Sequence, residues 1–185
     1  MPHPNLIDSR SSALVVIDIQ EAFRSAVPDF ALIASRASVA VRGFQTLGVP
    51  VLVTEQYPAG LGRTAEELQL VFDENTAVFE KTAFSSCGAS LLVENLGQGE
   101  IRQVVLCGLE THVCVNQTAH DLLERGFQVH VMTDCVASRF GHDREAGLGK
   151  MLASGAISSS VEMALFELMR DSTHEKFKEI QALIR

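Results

Sequence analysis

The chain has 185 residues, 46% of them apolar, which is enough for one sizeable core and most simply one domain over residues 1–185. Its formal charge of −8 repels phosphate backbones, and Lys and Arg are scattered rather than striped, so no nucleic-acid partner is expected. No apolar run approaches the roughly 20 residues of a membrane span. The start Met1-Pro2-His3-Pro4 lacks a basic segment leading into an apolar one, and Cys87, Cys107, Cys114 and Cys135 contain no Cys-x-x-Cys pair, so the expectation is a cytoplasmic protein with reduced thiols and no membrane contact.

Residues 13–19 form the first continuous apolar run of strand length, as in a parallel sheet buried on both faces, and Asp18 interrupts it. An aspartate there either caps the following turn or is paired and used. Residues 29–48 carry Ile33, Ala37, Ala40, Val41, Phe44 and Leu47 at helical spacing, ended by Gly48-Val49-Pro50. Residues 50–54 are a second strand, and the turn formers of residues 55–62 predict a loop at the carboxyl edge. Thr64 with Glu67 reads as a capping box for a short helix through Val71. A short strand over residues 77–81 ends on Lys81, either a solvated loop lysine or a group held at the strand edge.

Residues 88–96 read as a helix ended by Gly97. The stretch Val104-Val105-Leu106-Cys107-Gly108-Leu109-Glu110-Thr111-His112-Val113-Cys114 reads as a strand over residues 102–108, a Gly-marked turn and a helix start, with Thr111 as N-cap. Cys114 then lies in a first helical turn, where amide N–H groups favour a thiolate, although a small buried cysteine can equally be inert core. A strand over residues 127–133 ending at Asp134 encloses His130, read as a structural histidine. Helices over residues 144–154, 160–169 and 174–184 and a short strand over residues 155–158 complete the chain. Alternating strands and helices argue an α/β fold with a parallel sheet, whose site lies beyond the carboxyl ends of its strands. Asp18, Lys81 and Cys114 are all assigned to that edge. Gly147-Leu148-Gly149-Lys150 matches no phosphate-binding loop and lies in a helical pattern.

Three segments, Val15-Val16-Ile17-Asp18-Ile19-Gln20, Glu80-Lys81-Thr82-Ala83-Phe84 and Cys107-Gly108-Leu109-Glu110-Thr111-His112-Val113-Cys114-Val115, carry a resemblance to the isochorismatase-like cysteine hydrolases over nearly the whole chain. The resemblance is strongest to the divergent branch known as isochorismatase domain-containing proteins, through Thr54-Glu55-Gln56-Tyr57-Pro58, Gly60-Leu61-Gly62 and Phe177-Lys178-Glu179-Ile180-Gln181. It implies a three-layer, doubly wound α/β fold with a six-stranded parallel sheet in order 3-2-1-4-5-6. It also implies an Asp18, Lys81, Cys114 triad, a cis peptide between Leu109 and Glu110, and a homodimer or homotetramer.

The chemistry suits those roles. A thiol with a pKa of about 8.5 is mostly protonated at neutral pH, and an ammonium such as Lys81 favours its thiolate. Asp18 can serve as base, acid and base in turn, and the backbone N–H groups of Glu110 and Cys114 would form the oxyanion hole. Nicotinamidases of this superfamily carry Asp-x-His-x-x-His after the second strand. This chain has Glu55-Gln56-Tyr57-Pro58-Ala59-Gly60, so no metal and no cofactor are expected. The resulting expectation is a metal-independent hydrolase cleaving a C–N bond, amide or ureido, of a small-molecule substrate through a thioester. Gln20, Phe23, Gln56, Tyr57 and Phe84 are the candidate pocket residues. The alternative is a non-catalytic binding or interaction module of the same fold.

Overall fold

A computed structural model describes residues 3–185. Six parallel strands, β1 (Ser12–Ile17), β2 (Val51–Gln56), β3 (Ala77–Lys81), β4 (Gln103–Leu109), β5 (Gln128–Ala137) and β6 (Ile157–Ser159), form one sheet in the order β3-β2-β1-β4-β5-β6. The helices are α1 (Phe30–Thr46), α2 (Pro58–Leu61), α3 (Glu66–Gln69), α4 (Ser90–Gly97), α5 (Asn116–Glu124), α6 (Gly141–Ala153), α7 (Val161–Met169) and α8 (Phe177–Leu183).

Strand periodicity divides the core in two. In β1, Leu14 and Val16 face the layer that holds α1, α7 and α8, while Ala13, Val15 and Ile17 face the layer of α4, α5 and α6. In β4, Val105, Cys107 and Leu109 take the first side, and Val104 and Leu106 the second. This two-sided burial is why both strands read as unbroken apolar runs. The strand order reverses between β1 and β4, and a crevice at the carboxyl ends follows from that topology. The two strands touch there. A Cβ on Gly108, whose φ is +126°, would meet Ile17 O at 2.0 Å, so only glycine fits.

Several boundaries differ from the sequence reading. β4 runs on to Leu109, and β5 runs past Asp134 to Ala137. The reason for the second is a bulge: Leu106 opposes Val131 but Gly108 opposes Val136, so the register against β4 shifts while the strand continues. The capping box does not form. Thr64 donates through N–H and Oγ1 to Glu55 Oε1 at 2.7 and 2.8 Å, and Glu67 pairs with Arg24, so α3 begins at Glu66 behind an uncapping Ala65. The Glu55 carboxylate and the Arg24 guanidinium, both distant in sequence, outcompeted the local partners.

Buried His130 has an Nε2 with no partner among the described residues, and burial pushes its pKa down to about 4. The folded state therefore binds fewer protons than the unfolded chain below about pH 6.5, so stability is full above that pH and falls as the pH drops toward 4. Between pH 7 and pH 5 the loss from this residue is expected to be about 2 kcal/mol. Urea unfolding of the wild type and of His130→Leu at both pH values checks it: the variant should lose less stability over the interval, and equal losses would reject it.

Candidate active site

Asp18 follows β1 with φ +50°, a left-handed turn that lifts its side chain off the sheet at the carboxyl edge. Lys81 ends β3, two strands away. The two side chains are fully buried and joined by Lys81 Nζ to Asp18 Oδ2 at 2.7 Å. The ammonium also meets Gln56 Oε1 at 2.8 Å, Phe84 O at 2.9 Å and Ala83 O at 3.2 Å, so its three protons face four acceptors. The solvated-lysine alternative is excluded. The other carboxylate oxygen, Asp18 Oδ1, accepts from Thr54 Oγ1 at 2.8 Å.

The segment Thr111–Val115 is a π-helical turn rather than the first turn of an α-helix, and α5 begins only at Asn116. Amides of Val113 and Val115 both donate to Glu110 O, which widens the turn. Thr111 does not cap it: its Oγ1 is buried and without a partner among the described residues. The turn is pressed against α6 at Gly147, where a Cβ would stand 2.9 Å from His112 Cα. The His112 ring meets the segment before α6 and α6 itself, its Nδ1 3.0 Å from Ser138 Oγ and its Nε2 3.9 Å from Asp143 Oδ2. The Leu109–Glu110 peptide is cis.

Cys114 is 5% exposed and borders the Asp18 carboxylate. Burial, then the Asp18 charge, push its pKa up to about 12; Lys81 acts the other way and is outweighed. The sequence reading of a thiolate favoured by Lys81 and a helix start is therefore corrected. In the resting site the sulfur is a thiol beside a carboxylate, so its deprotonation has to be coupled to attack.

A cleft of about 330 Å³ opens over Cys114. Phe23, Leu61, Phe84 and Val113 give it apolar walls, and Gln56, Glu110 and Arg139 supply polar groups. Of the five pocket residues read from sequence, Phe23, Gln56 and Phe84 line it. Gln20 does not: it is fully buried, its Nε2 donates to Gln56 O and Gly62 O, and its Oε1 accepts from Gln56 N, so it secures the strand that carries Gln56. Tyr57 does not either, being 57% exposed and packed on Gly60. Arg139 was missed. It lies in the loop after β5, which the sequence reading ended at Asp134, and its N–H and Nε donate to Glu110 Oε1 at 3.0 and 3.1 Å.

At the end of β2, where nicotinamidases carry metal-binding histidines, Glu55 accepts from Thr64 and Arg63, and Arg63 also reaches Glu80 at 2.6 Å. A salt-bridged cluster fills that position. Among the described residues no group of three or more His, Cys, Asp or Glu could hold a metal ion, and no helix is long and apolar enough to cross a membrane.

The family description "Isochorismatase domain" matches residues 12–163. A relative named isochorismatase domain-containing protein 1, from Salmo salar, is 43% identical over 98% of this chain, which spans 63% of that relative's length. A solved structure described as MAR1 ribonuclease from Caenorhabditis elegans is 42% identical over 97% of this chain and 92% of that one, with a TM-score of 0.93. The YcaC gene product of Escherichia coli, described as an octameric hydrolase of unknown specificity, shares the fold at 21% identity and a TM-score of 0.86, covering all of this chain and 91% of its own. Since the family match spans the sheet from β1 into α7 and the strand order is the one the resemblance implied, the chain belongs to the isochorismatase family and carries its fold.

Proposed function

We propose that the protein is a cysteine hydrolase that cleaves a C–N bond, amide or ureido, of a small molecule through a thioester, with Asp18, Lys81 and Cys114 as its catalytic groups. The observation that carries this reading is the buried Asp18 carboxylate, joined to the Lys81 ammonium and bordering the thiol of Cys114, which lines the cleft. Asp18 takes the thiol proton as the sulfur bonds to the substrate carbonyl carbon. The developing oxyanion meets the N–H groups of Glu110 and Cys114, where one lost donor typically costs about 2.7–4 kcal/mol of barrier. Asp18 then gives that proton to the departing nitrogen. A water attacks the thioester with Asp18 as base, releasing the acid and restoring the thiol. Lys81, saturated with acceptors, holds its charge and place throughout. The cycle needs no cofactor and no metal.

A screen of amides and carbamoylated amines, read as ammonia or amine release, tests the reaction, and alkylation by iodoacetamide followed by peptide mass spectrometry tests the nucleophile. Cys114 should label ahead of the fully buried Cys107 and Cys135, in a manner that depends on Asp18. Equal sluggishness of all cysteines would favour a non-catalytic module.

A second reading comes from the C. elegans structure described as a ribonuclease. In this chain a net charge of −8 and a cleft carrying Glu110 paired with Arg139 disfavour a polyanionic substrate. RNA cleavage that disappears in Cys114→Ser would reverse that preference.

We also propose at least a homodimer, supported by the octameric description of the E. coli protein of the same fold. Light scattering should give a mass at least twice 20.1 kDa, and a monomer mass would refute it.

A further inference from the structure

Asp18 is asked to be a charged base in a place with no exposed surface. It faces the Lys81 ammonium from the end of β3 and the Cys114 thiol from the π turn, with the Glu110 carboxylate, tied to Arg139, further along the cleft. Lys81 accounts for only one of its two oxygens. The second rests on a chain of hydroxyls that the proposed chemistry does not use. Thr54, within β2 and fully buried, donates to Asp18 Oδ1 at 2.8 Å. Its single proton is thereby spent, since a carboxylate only accepts. The contact of 3.3 Å between Thr54 Oγ1 and Ser86 Oγ must then have Ser86 as donor. Ser86, also fully buried, is in turn fixed from the nucleophile's side: its amide donates to Thr118 Oγ1 at 2.8 Å, and Thr118 Oγ1 donates to Cys114 O at 2.7 Å. Three side-chain hydroxyls from β2, the loop before α4, and α5 thus link the base to the backbone of the nucleophile.

We infer that Thr54, oriented by Ser86, is a positioning residue that keeps the Asp18 carboxylate ionised and turned toward the Cys114 thiol. The inference rests on the cysteine-hydrolase reading. The physical reason is that a hydrogen bond donated to the charged form of a buried acid stabilises that form relative to the protonated one. A hydrophobic residue of the same shape would leave Oδ1 without a partner in a dry site.

The probe is iodoacetamide, which reports the base without needing the substrate: the thiol proton passes to Asp18, the S–C bond forms, and iodide leaves. In the wild type the Cys114 rate should rise through an acid limb to a plateau. In Asp18→Asn the limb should vanish, leaving only the alkaline rise of free thiolate. In Thr54→Val the limb should move upward by about one to two pH units. Thr54→Ser, which restores the hydroxyl, should return it to the wild-type position. Ser86→Ala leaves Thr54 in place and should move the limb in the same direction by less, which keeps the test usable if Thr54→Val does not fold. A limb unmoved in both Thr54→Val and Ser86→Ala, with only melting temperature changed, would make the hydroxyls structural spacers and overturn the inference alone. A wild-type profile with no limb that Asp18→Asn removes would overturn the base assignment, and the inference with it.

Discussion

Cys114→Ser is expected to lower turnover by on the order of 10⁴-fold or more while leaving the melting temperature near that of the wild type. The substitution exchanges one small atom at a position only 5% exposed, so packing is preserved. The hydroxyl, however, is a far weaker nucleophile, and the site is built to deprotonate a thiol. Asp18→Asn is expected to abolish turnover as well, but with an opposite effect on the sulfur. Burial first, then the Asp18 charge and its hydrogen bond with the thiol, raise the Cys114 pKa to about 12, so removing the carboxylate takes away the Asp18 share and lets the thiolate form at lower pH. An unchanged melting temperature beside that shift separates loss of the charge from disruption of the site, which by admitting water would also ease thiolate formation. Intact-protein mass should show an acyl adduct only when Cys114 is present. Substantial turnover in Cys114→Ser would assign the chemistry to other residues.

Lys81→Met should cost about 3–5 kcal/mol of stability, because it strands a fully buried carboxylate. It also leaves Gln56 Oε1 and the carbonyls of Ala83 and Phe84 without the ammonium that gathers them. The neutral pair Asp18→Asn with Lys81→Met should recover a good part of that loss, since the pair's value lies in not leaving either charge alone. Urea unfolding of the two single variants and the double variant measures the coupling. Additive losses would mean that the two charges do not depend on each other, contrary to a 2.7 Å contact without exposed surface.

While the strand order came from the family resemblance, periodicity was enough for an α/β class with a parallel sheet, because burial on both faces leaves an unmistakable mark: Val15 to Ile17 and Val104 to Leu106 have no polar face to show. The same marks exposed the reactive groups. Asp18 and Lys81 are charges where apolar strands end, and a charge without solvent has to be paired. The partners themselves were beyond the linear pattern. Thr54 and Ser86 look like ordinary strand and loop hydroxyls, and only the meeting of β2 with the loop before α4 sets Thr54 on Asp18 and Ser86 on Thr54. Arg139 was hidden because a bulge lengthens β5 past the polar residues that seemed to end it.

Gln20 and Tyr57 stand beside pocket residues in sequence yet leave the cleft, one drawn inward by backbone carbonyls and the other turned out at a left-handed residue. The state of the Cys114 sulfur was decided by tertiary structure as well. Helix position and a nearby lysine argue for a thiolate, but Cys114 sits in a π turn rather than a first α turn, and its burial and the neighbouring carboxylate, both properties of packing, outweigh the lysine. Sequence determines which groups must be buried and therefore which layers form. How those groups meet, and which of two opposing fields prevails at a single sulfur, depends on separations of a few ångströms between residues that lie tens of positions apart in the chain.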